Sequence, residues 1–210
     1  MRMDWHAWHG DYDDADSYLA RRLRIVREWI GLTLDVAPPG PLRVVSLCAG
    51  QGRDLLGVLP DHPRGSDVTA RLVELDPRNV GEARRGVAEA GLGEHVEVVE
   101  GDAALTDRYA GMVPADLVLA CGIFGNVTDA DVERTIGFLP QLCARGGTVI
   151  WTRHRGEPDL VPHVCRWFEE RGFERVWLTE PERGFGVGVH RFTGEPEELA
   201  AGARMFTFLV

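Results

Sequence analysis

Residues 44–54 read VVSLCAGQGRD, an apolar run of strand character that ends in a Gly-x-Gly turn at Gly50 and Gly52. Glycine is needed where the backbone must turn tightly, and where it approaches a ligand too closely for a side chain. The stretch therefore predicts a buried strand, a tight turn and then a helix near 53–59. A Gly-x-Gly turn by itself is as often a simple structural turn as a ligand cradle, so the flanking sequence has to decide.

Short apolar runs alternate with helical patterns from Leu42 onward, which requires crossover connections and hence a mainly parallel sheet. The seven strand candidates are 42–48, 68–74, 95–100, 116–121, 147–152, 173–178 and 186–192. Helices are expected near 53–59, 77–90, 129–144 and 158–171. Only a short Gly-containing segment separates the last two strands, so a hairpin places the final strand antiparallel. The predicted fold is a three-layer α/β/α sandwich with a seven-stranded, mostly parallel sheet.

The chain opens with an irregular arm over residues 1–14, rich in aromatic residues, His and Asp. Ser17 is a good N-cap for an amphipathic helix whose apolar positions recur every three or four residues. These positions are Leu19, Leu23, Val26, Ile30 and Leu34. The segment 38–41 (PPGP) stops any helix. We therefore divide the chain into an arm and helix at 1–36, which cover the site, and a domain at 42–210.

Carboxylates follow the second and third strand candidates. Glu74 ends the second strand 22 residues beyond Gly52, and Asp102 comes directly after the third. In dinucleotide-type sites a carboxylate at the first of these places accepts hydrogen bonds from ribose hydroxyls. A carboxylate after the third strand can accept a hydrogen bond from an exocyclic amine. The simpler alternatives are a solvated strand end and a turn, and Asp76 is best explained as the N-cap of the next helix. With Gly50 and Gly52, the two carboxylates fall on one edge of one sheet, which indicates a nucleoside site.

These residues make the chain resemble the class I S-adenosylmethionine-dependent methyltransferases, whose fold is Rossmann-like, over roughly residues 42–192. The family's acid-x-Gly-x-Gly-x-Gly motif corresponds to 48–54 (CAGQGRD), with a cysteine in place of the acid and an aspartate in place of the last glycine. Residues 116–121 (DLVLAC) resemble the family's fourth strand, and 144–147 (ARGG) resemble the turn before its fifth. The resemblance implies that the chain is an enzyme, a methyltransferase whose cofactor is S-adenosyl-L-methionine.

The resemblance also assigns residues to the cofactor. It implies that Gly50 and Gly52 admit the cofactor and that Glu74 holds its ribose. Asp102 and the Ala103 amide are expected to bind adenine. The full set of cofactor contacts expected on this basis is Gly50, Gln51, Gly52, Glu74, Leu75, Asp102, Ala103, Cys121, Tyr12 and Tyr18.

Methyl transfer needs little beyond holding a methyl group in line with a nucleophile, so few catalytic residues are expected. For a hydroxyl acceptor, a neutral histidine can act as base, and His154, two residues past the fifth strand candidate, is the first choice. Asn126, in the loop after the fourth strand, is the second candidate, as a group that orients a polar acceptor. A surface histidine and a turn or helix entry are the simpler interpretations of these residues.

The aromatic arm is a further candidate for the site. Tyr12 and Tyr18, together with Trp5, Trp8 and His9, are placed to fold over the pocket mouth and exclude water. His6 and His9 have a spacing that suits a metal on a helix, but no third ligand is near in the sequence, so we expect no metal site.

Composition limits the partners. The 210 residues carry a formal net charge of −10, with acids and bases mixed along the chain. Because this leaves no basic stripe, we expect no nucleic-acid partner. We also expect no membrane partner and a cytoplasmic location, since the sequence has no signal-peptide pattern and no apolar run of about 20 residues. Four scattered cysteines suggest reduced thiols. All 23 basic residues are Arg, which is typical of a GC-rich bacterial genome.

The sequence favours methyl transfer to a small-molecule acceptor, at oxygen rather than nitrogen. One alternative is a nonenzymatic module that binds the cofactor or a nucleotide. A nicotinamide oxidoreductase is disfavoured, because the last glycine of its fingerprint is replaced by Leu55. The chain is expected to be a monomer or a homodimer, since the apolar tail at 194–210 needs cover from the sheet or from a second subunit.

Overall fold

The computed structural model describes residues 12–209, which fold around a seven-stranded sheet. Its strands are β1 (Leu42–Leu47), β2 (Val68–Glu74), β3 (Val96–Glu100), β4 (Ala115–Ala120), β5 (Cys143–His154), β6 (Phe173–Leu178) and β7 (Phe185–Phe192). Their order across the sheet is β3-β2-β1-β4-β5-β7-β6. The last strand, β7, runs antiparallel to both of its neighbours, while the pairs from β3 to β5 are parallel. The predicted Rossmann-like sheet with an antiparallel last strand is confirmed.

Helices cover both faces of this sheet. They are α1 (Tyr18–Val36), α2 (Pro77–Glu89), α3 (Asp129–Leu142) and α4 (Val161–Glu170). On one face, Val26 and Ile30 of α1 pack with Val44 of β1 in a buried apolar cluster. On the other, Ile136 of α3 and Phe168 of α4 belong to a second cluster. The three-layer arrangement is therefore confirmed. None of the helices within residues 12–209 is long and apolar enough to cross a membrane.

The parallel strands bring their carboxyl ends to one edge of the sheet. Leu47 of β1 pairs with Val73 of β2, and Glu74 pairs with Glu100 of β3. The central strands β1 and β4 are buried along most of their length because helices cover both of their faces. The loops that leave β1 to β4 therefore start side by side, and they form the site described below.

The helix expected at 53–59 is wrong, because these residues form consecutive turns. The Arg27 guanidinium of α1 lies across this segment and donates to the Arg53 carbonyl from Nε (2.9 Å) and Nη2 (2.6 Å). In a helix that carbonyl would accept from the Gly57 amide. Glycine lowers helix propensity further, and Pro60 follows at once. A side chain from a distant part of the chain thus takes the acceptor that a helix would use.

The C-terminal tail, residues 194–209, packs on the loops that follow β3 and β4. Isolated antiparallel bridges join it to Leu105 and to Val127. Met205 and Phe206 of the tail are buried in the same apolar cluster as α3 and α4. The apolar tail was expected to pack either on the sheet or on a second subunit. For Met205 and Phe206, the chain's own domain provides the packing.

One buried histidine is expected to make stability depend on pH. His190 of β7 is fully buried, and its Nδ1 accepts a hydrogen bond from Trp151 Nε1 at 3.0 Å. Burial, and secondarily the charge of Arg175, lowers the pKa of His190 to about 3. In the unfolded chain the pKa of this histidine is near 6.5, so between about pH 6.5 and 3 the unfolded chain binds a proton that the folded chain does not. The free energy of unfolding therefore falls as the pH falls through this range.

We expect this histidine to contribute a slope of about 1.4 kcal/mol per pH unit to the free energy of unfolding below pH 6.5. Urea unfolding between pH 5 and 6.5, above the range of ordinary carboxylates, measures it. His190→Asn keeps an acceptor for Trp151 but does not titrate, so its curve should be flatter by that amount. Equal slopes in the two proteins would contradict a neutral, buried His190.

Candidate functional site

A cavity of about 560 Å³ lies at the carboxyl edge of the sheet, over the ends of β1 to β4. We call it the edge cavity. It is lined by Tyr12, Arg22, Leu23, Val26, Cys48, Ala49, Gly50, Gln51, Arg53, Asp54, Glu74, Leu75, Asp76, Pro77, Arg78, Asn79, Asp102, Ala103, Cys121, Gly122, Thr152 and Phe208. Eight of the ten expected cofactor contacts are among them, and Gly52 and Tyr18 are not. Glu74 and Asp102 therefore face one common space.

The turn after β1 uses left-handed backbone conformations, with φ of 51° at Cys48, 57° at Gly50 and 70° at Gly52. Such values favour glycine, and at a non-glycine residue they are uncommon. A Cβ on Gly52 would lie 2.9 Å from Leu72 Cδ1 and 3.1 Å from Leu56 Cδ1. Gly52 is thus explained by its backbone conformation and by close packing on β2, and it does not line the edge cavity.

Glu74 ties the glycine turn to the end of β2. The residue is 9% exposed, and its Oε2 accepts from the Gly50 amide and its Oε1 from the Asp76 amide, both at 2.8 Å. These two bonds fix the carboxylate in one orientation. Each oxygen retains a second acceptor position, which is what a vicinal pair of hydroxyls requires.

Asp102 is held at the far side of the same cavity. Its Oδ1 accepts from the Ala104 amide at 3.0 Å, and its Oδ2 lies 2.9 Å from Arg204 Nη2. Arg204 belongs to the C-terminal tail, and no sequence motif indicates this ion pair. Next to Asp102, Ala103 is buried. The carboxylate is therefore oriented by both the β3 loop and the tail.

The edge cavity is also lined by a buried aspartate and a buried arginine, neither of which was predicted as a ligand. Asp54 Oδ1 accepts from the Leu55 amide at 2.7 Å. Burial raises the pKa of the Asp54 carboxyl, and the Leu55 hydrogen bond and the Arg27 charge partly offset this shift. Arg22 of α1 is 8% exposed and donates to the Tyr12 hydroxyl at 3.4 Å. In the sequence, the aspartate in place of the last motif glycine could have indicated Asp54 as a ligand. No motif indicated Arg22.

Asn79 of α2 supplies a buried donor to the cavity. The residue is 1% exposed, and its Oδ1 accepts from Gln51 Nε2 at 3.4 Å. Its Nδ2 has no hydrogen-bond partner within residues 12–209. A buried amide donor left unpaired costs about 1–3 kcal/mol, so a ligand with an acceptor atom is favoured here.

The two cysteines of the cavity are neutral thiols. Burial raises the pKa of Cys48 well above its ordinary value, and the charges of Glu74 and Asp102 add to the shift. Burial likewise raises the pKa of Cys121, with Asp54 acting in the same direction. Neither thiol is therefore suited to act as a nucleophile.

A second pocket, of about 300 Å³, adjoins the edge cavity. We call it the side pocket. It is lined by Ser17, Tyr18, Leu19, Arg22, Gly122, Gly125, Asn126, Thr152, Arg153 and His154. Arg22, Gly122 and Thr152 line both spaces. The side pocket contains both candidate catalytic residues as well as Tyr18, which was expected at the cofactor.

The hydrogen bond of His154 bears on the base role predicted for it. His154 is exposed at the end of β5, which continues two residues past the expected carboxyl end, and its Nδ1 accepts from the Gly156 amide at 3.0 Å. A neutral imidazole that accepts at Nδ1 carries its proton at Nε2. This arrangement favours His154 as a hydrogen-bond donor over a base acting through Nε2.

Asn126 shapes the loop after β4. Its Nδ2 donates to the Gly122 carbonyl and its backbone amide to the Ile123 carbonyl, both at 2.8 Å. The backbone carbonyl of Asn126 in turn accepts from the Leu209 amide of the tail. The simpler interpretation, a turn residue, describes these bonds, and a role of Asn126 toward an acceptor stays a prediction.

Two side chains of the side pocket have polar atoms without partners. The Tyr18 ring packs edge-on against Phe185, and its buried hydroxyl has no hydrogen-bond partner within the described chain. Arg153 is 8% exposed and donates to the Phe124 carbonyl, and its Nη2 lies 3.5 Å from Asp129. Its buried Nε is unpaired within the same residues. The other arm residues, Trp5, His6, Trp8 and His9, lie outside the described residues.

The sheet order, the antiparallel last strand and the glycine turn together define the class I methyltransferase fold. The chain belongs to the protein family described as "Putative methyltransferase", whose sequence model matches residues 32–166.

By sequence the chain is similar to the uncharacterized protein YnbC of Escherichia coli strain K12, at 26% identity over 121 residues. The match covers 57% of this chain and 20% of YnbC. The chain thus spans about a fifth of the length of that relative.

Solved structures with a similar fold include an O-methyltransferase family protein from Burkholderia thailandensis, at 19% identity and TM-score 0.67, covering 85% of this chain and 57% of that one. A SAM-dependent methyltransferase from Thiobacillus denitrificans, in complex with S-adenosyl-L-homocysteine, has 19% identity and TM-score 0.57, covering 79% and 89%. The fold also occurs in the [4+2]-cyclase SpnF and in an RNA methyltransferase from Salinibacter ruber. At such identities the likeness extends to the fold alone.

Proposed function

We propose that this chain is an S-adenosyl-L-methionine-dependent methyltransferase that acts on a small molecule. The observation that carries the proposal is the Glu74 carboxylate, which two backbone amides fix on the same cavity as Asp102. A ligand with ribose hydroxyls and an exocyclic amine matches this pair of acceptors. Membership of the methyltransferase family and the S-adenosylhomocysteine bound to the Thiobacillus protein support the same cofactor.

The residues of the edge cavity suit every part of this cofactor. Glu74 would hold the ribose, and Asp102 with the Ala103 amide would hold adenine. Asp54 and Arg22 offer opposite charges for the ammonium and carboxylate of the methionine end. When bound, the cofactor supplies an electrophilic methyl group on a sulfonium. The protein's contribution is then to orient this group toward the side pocket and to exclude water.

The side pocket supports a small acceptor that is methylated on oxygen. At about 300 Å³ it lies at the lower end of the range for ligand pockets. The His154 Nε2 is a donor, which matches the lone pair of an acceptor oxygen better than an ammonium group. A net charge of −10 opposes a nucleic-acid substrate. Four free thiols support a reducing compartment, the cytoplasm.

Thermal melting of the full chain with S-adenosylhomocysteine and, separately, with NAD tests the cofactor class. We expect S-adenosylhomocysteine at about 100 times its Kd to stabilise the protein by about 2.7 kcal/mol, and NAD to leave the melting temperature unchanged. Protection by NAD alone would instead support the oxidoreductase alternative. For the nonenzymatic alternative, the discriminating result is cofactor binding without any formation of S-adenosylhomocysteine across a panel of hydroxyl-bearing metabolites.

Asp54 is expected to act only on the amino-acid end of the cofactor. We predict that Asp54→Asn weakens binding of S-adenosylhomocysteine about tenfold, because a charge-assisted hydrogen bond to the ammonium is lost. Binding of 5′-deoxy-5′-methylthioadenosine, which lacks that end, should not change. Calorimetry with both ligands measures the difference, and exposed Asp61→Asn is the control. Equal losses for both ligands would place Asp54 elsewhere in the site.

A further inference from the structure

The side pocket has a distinctive balance of charge. Its described lining includes two arginines, Arg22 and Arg153, each 8% exposed, and no carboxylate side chain. The acid nearest to Arg153 is Asp129, which is outside the lining, has a side chain 61% exposed and lies 3.5 Å from Nη2. An exposed acid at that distance compensates a buried cation only weakly. The Arg153 guanidinium is thus a positive group that no carboxylate of the described lining neutralises.

Two buried donors of this pocket also lack acceptors. The Arg153 Nε and the Tyr18 hydroxyl have no hydrogen-bond partner within residues 12–209. The remaining nitrogens of Arg153 are engaged by the Phe124 carbonyl and by Asp129, which fixes the plane of the guanidinium. Buried donors are rarely left unpaired in folded proteins, so a bound molecule with acceptor oxygens is favoured at this place.

We propose that the side pocket binds an acceptor bearing a compact anionic group, a carboxylate or a phosphate, through Arg153 and Tyr18. This proposal rests on the proposed function, because it names the class of molecule that is methylated. The anionic group is a handle and not the atom that reacts. A guanidinium beside the reacting oxygen would stabilise a charge that disappears in the transition state, which would slow the transfer. Held away from the methyl group, the same contact only positions the acceptor.

The test uses benzoate, phenyl phosphate and the neutral benzamide as probes of the full chain saturated with S-adenosylhomocysteine. Ligand-observed NMR titration gives the affinities. We expect benzoate or phenyl phosphate to bind about tenfold or more tightly than benzamide. The probe with the higher affinity assigns the anion to the carboxylate or the phosphate class. Benzamide that binds as well as both anions, or no binding of either anion, would overturn the proposal.

Two variants locate the effect. Tyr18→Phe removes only a hydroxyl that has no hydrogen-bond partner within residues 12–209. The fold should therefore be unaffected, while the preference for the anion falls about threefold to tenfold. Arg153→Gln should abolish the preference, and the exposed Arg145→Gln should keep it. An unchanged preference in both pocket variants would contradict the assignment. Repeating the titration without S-adenosylhomocysteine separates the two proposals, since the pocket's preference for anions is then measured whether or not the cofactor binds.

Discussion

Replacing Glu74 with glutamine is expected to weaken S-adenosylhomocysteine binding about 100-fold. Both carboxylate oxygens accept from backbone amides, of Gly50 and Asp76, and both are expected to accept from the ribose. In glutamine an NH₂ group replaces one of the two oxygens, and the negative charge is lost. This NH₂ group faces a backbone N–H, and two donors cannot form a hydrogen bond with each other. Losing two charge-assisted hydrogen bonds costs about 3 kcal/mol, which corresponds to roughly two orders of magnitude in Kd.

Calorimetry with S-adenosylhomocysteine and with 5′-deoxy-5′-methylthioadenosine measures this effect, and both ligands should lose affinity because both contain the ribose. Glu100→Gln is a matched control: Glu100 pairs with Glu74 across the sheet but is exposed and outside the edge cavity. Thermal melting of the variant checks that the glycine turn is still folded. If the folded Glu74→Gln protein kept its affinity for both ligands, the result would contradict the assignment of the ribose to Glu74.

Replacing Gly188 with alanine should destabilise the fold more than any other change considered. A Cβ on Gly188 of β7 would lie 2.5 Å from Trp151 Nε1 and closer still to two carbons of the same ring, distances that real Cβ atoms do not show. The indole cannot move aside, because Trp151 is fully buried, stacks on Phe168 and donates to His190. Overpacking of this kind costs about 3 kcal/mol. For a chain of this length we expect the melting temperature to fall by about 10 °C.

Gly81→Ala is the control for this prediction. Gly81 lies within α2, and nothing lies within 4 Å of a Cβ added there. Alanine restricts the unfolded chain and favours the helix, so this variant should be more stable by about 0.5–1 kcal/mol. Urea unfolding of both variants gives the two free energies. If the two glycine substitutions shift stability equally, close packing of β7 against Trp151 is not what requires Gly188.

The sequence allowed the sheet to be predicted because its information is local. Apolar runs, crossover lengths and the short link before β7 were sufficient to place all seven strands, and carboxylates after β2 and β3 were sufficient to predict that Glu74 and Asp102 share one edge. Contacts between distant residues could not be predicted in this way. Arg27 replaces a helix by turns, and Arg204 reaches Asp102 from the tail.

The same limit applies to the acceptor side of the site. His154 and Asn126 line the same pocket, but the hydrogen bond to the Gly156 amide that bears on the role of His154 has no sequence signal. Arg153 comes directly after the fifth strand candidate, 147–152, and no motif in the sequence distinguishes it. Its importance depends on burial and on an Nε that has no partner in the described part of the chain, and both are properties of the folded protein alone.

A crystal structure of the full chain grown with S-adenosylhomocysteine tests the central claim most directly. We predict electron density for the nucleoside in the edge cavity, with both ribose hydroxyls within hydrogen-bond distance of Glu74 and the adenine amine beside Asp102. Density for the ligand at any other place, or a saturated crystal whose edge cavity contains only solvent, would contradict the account.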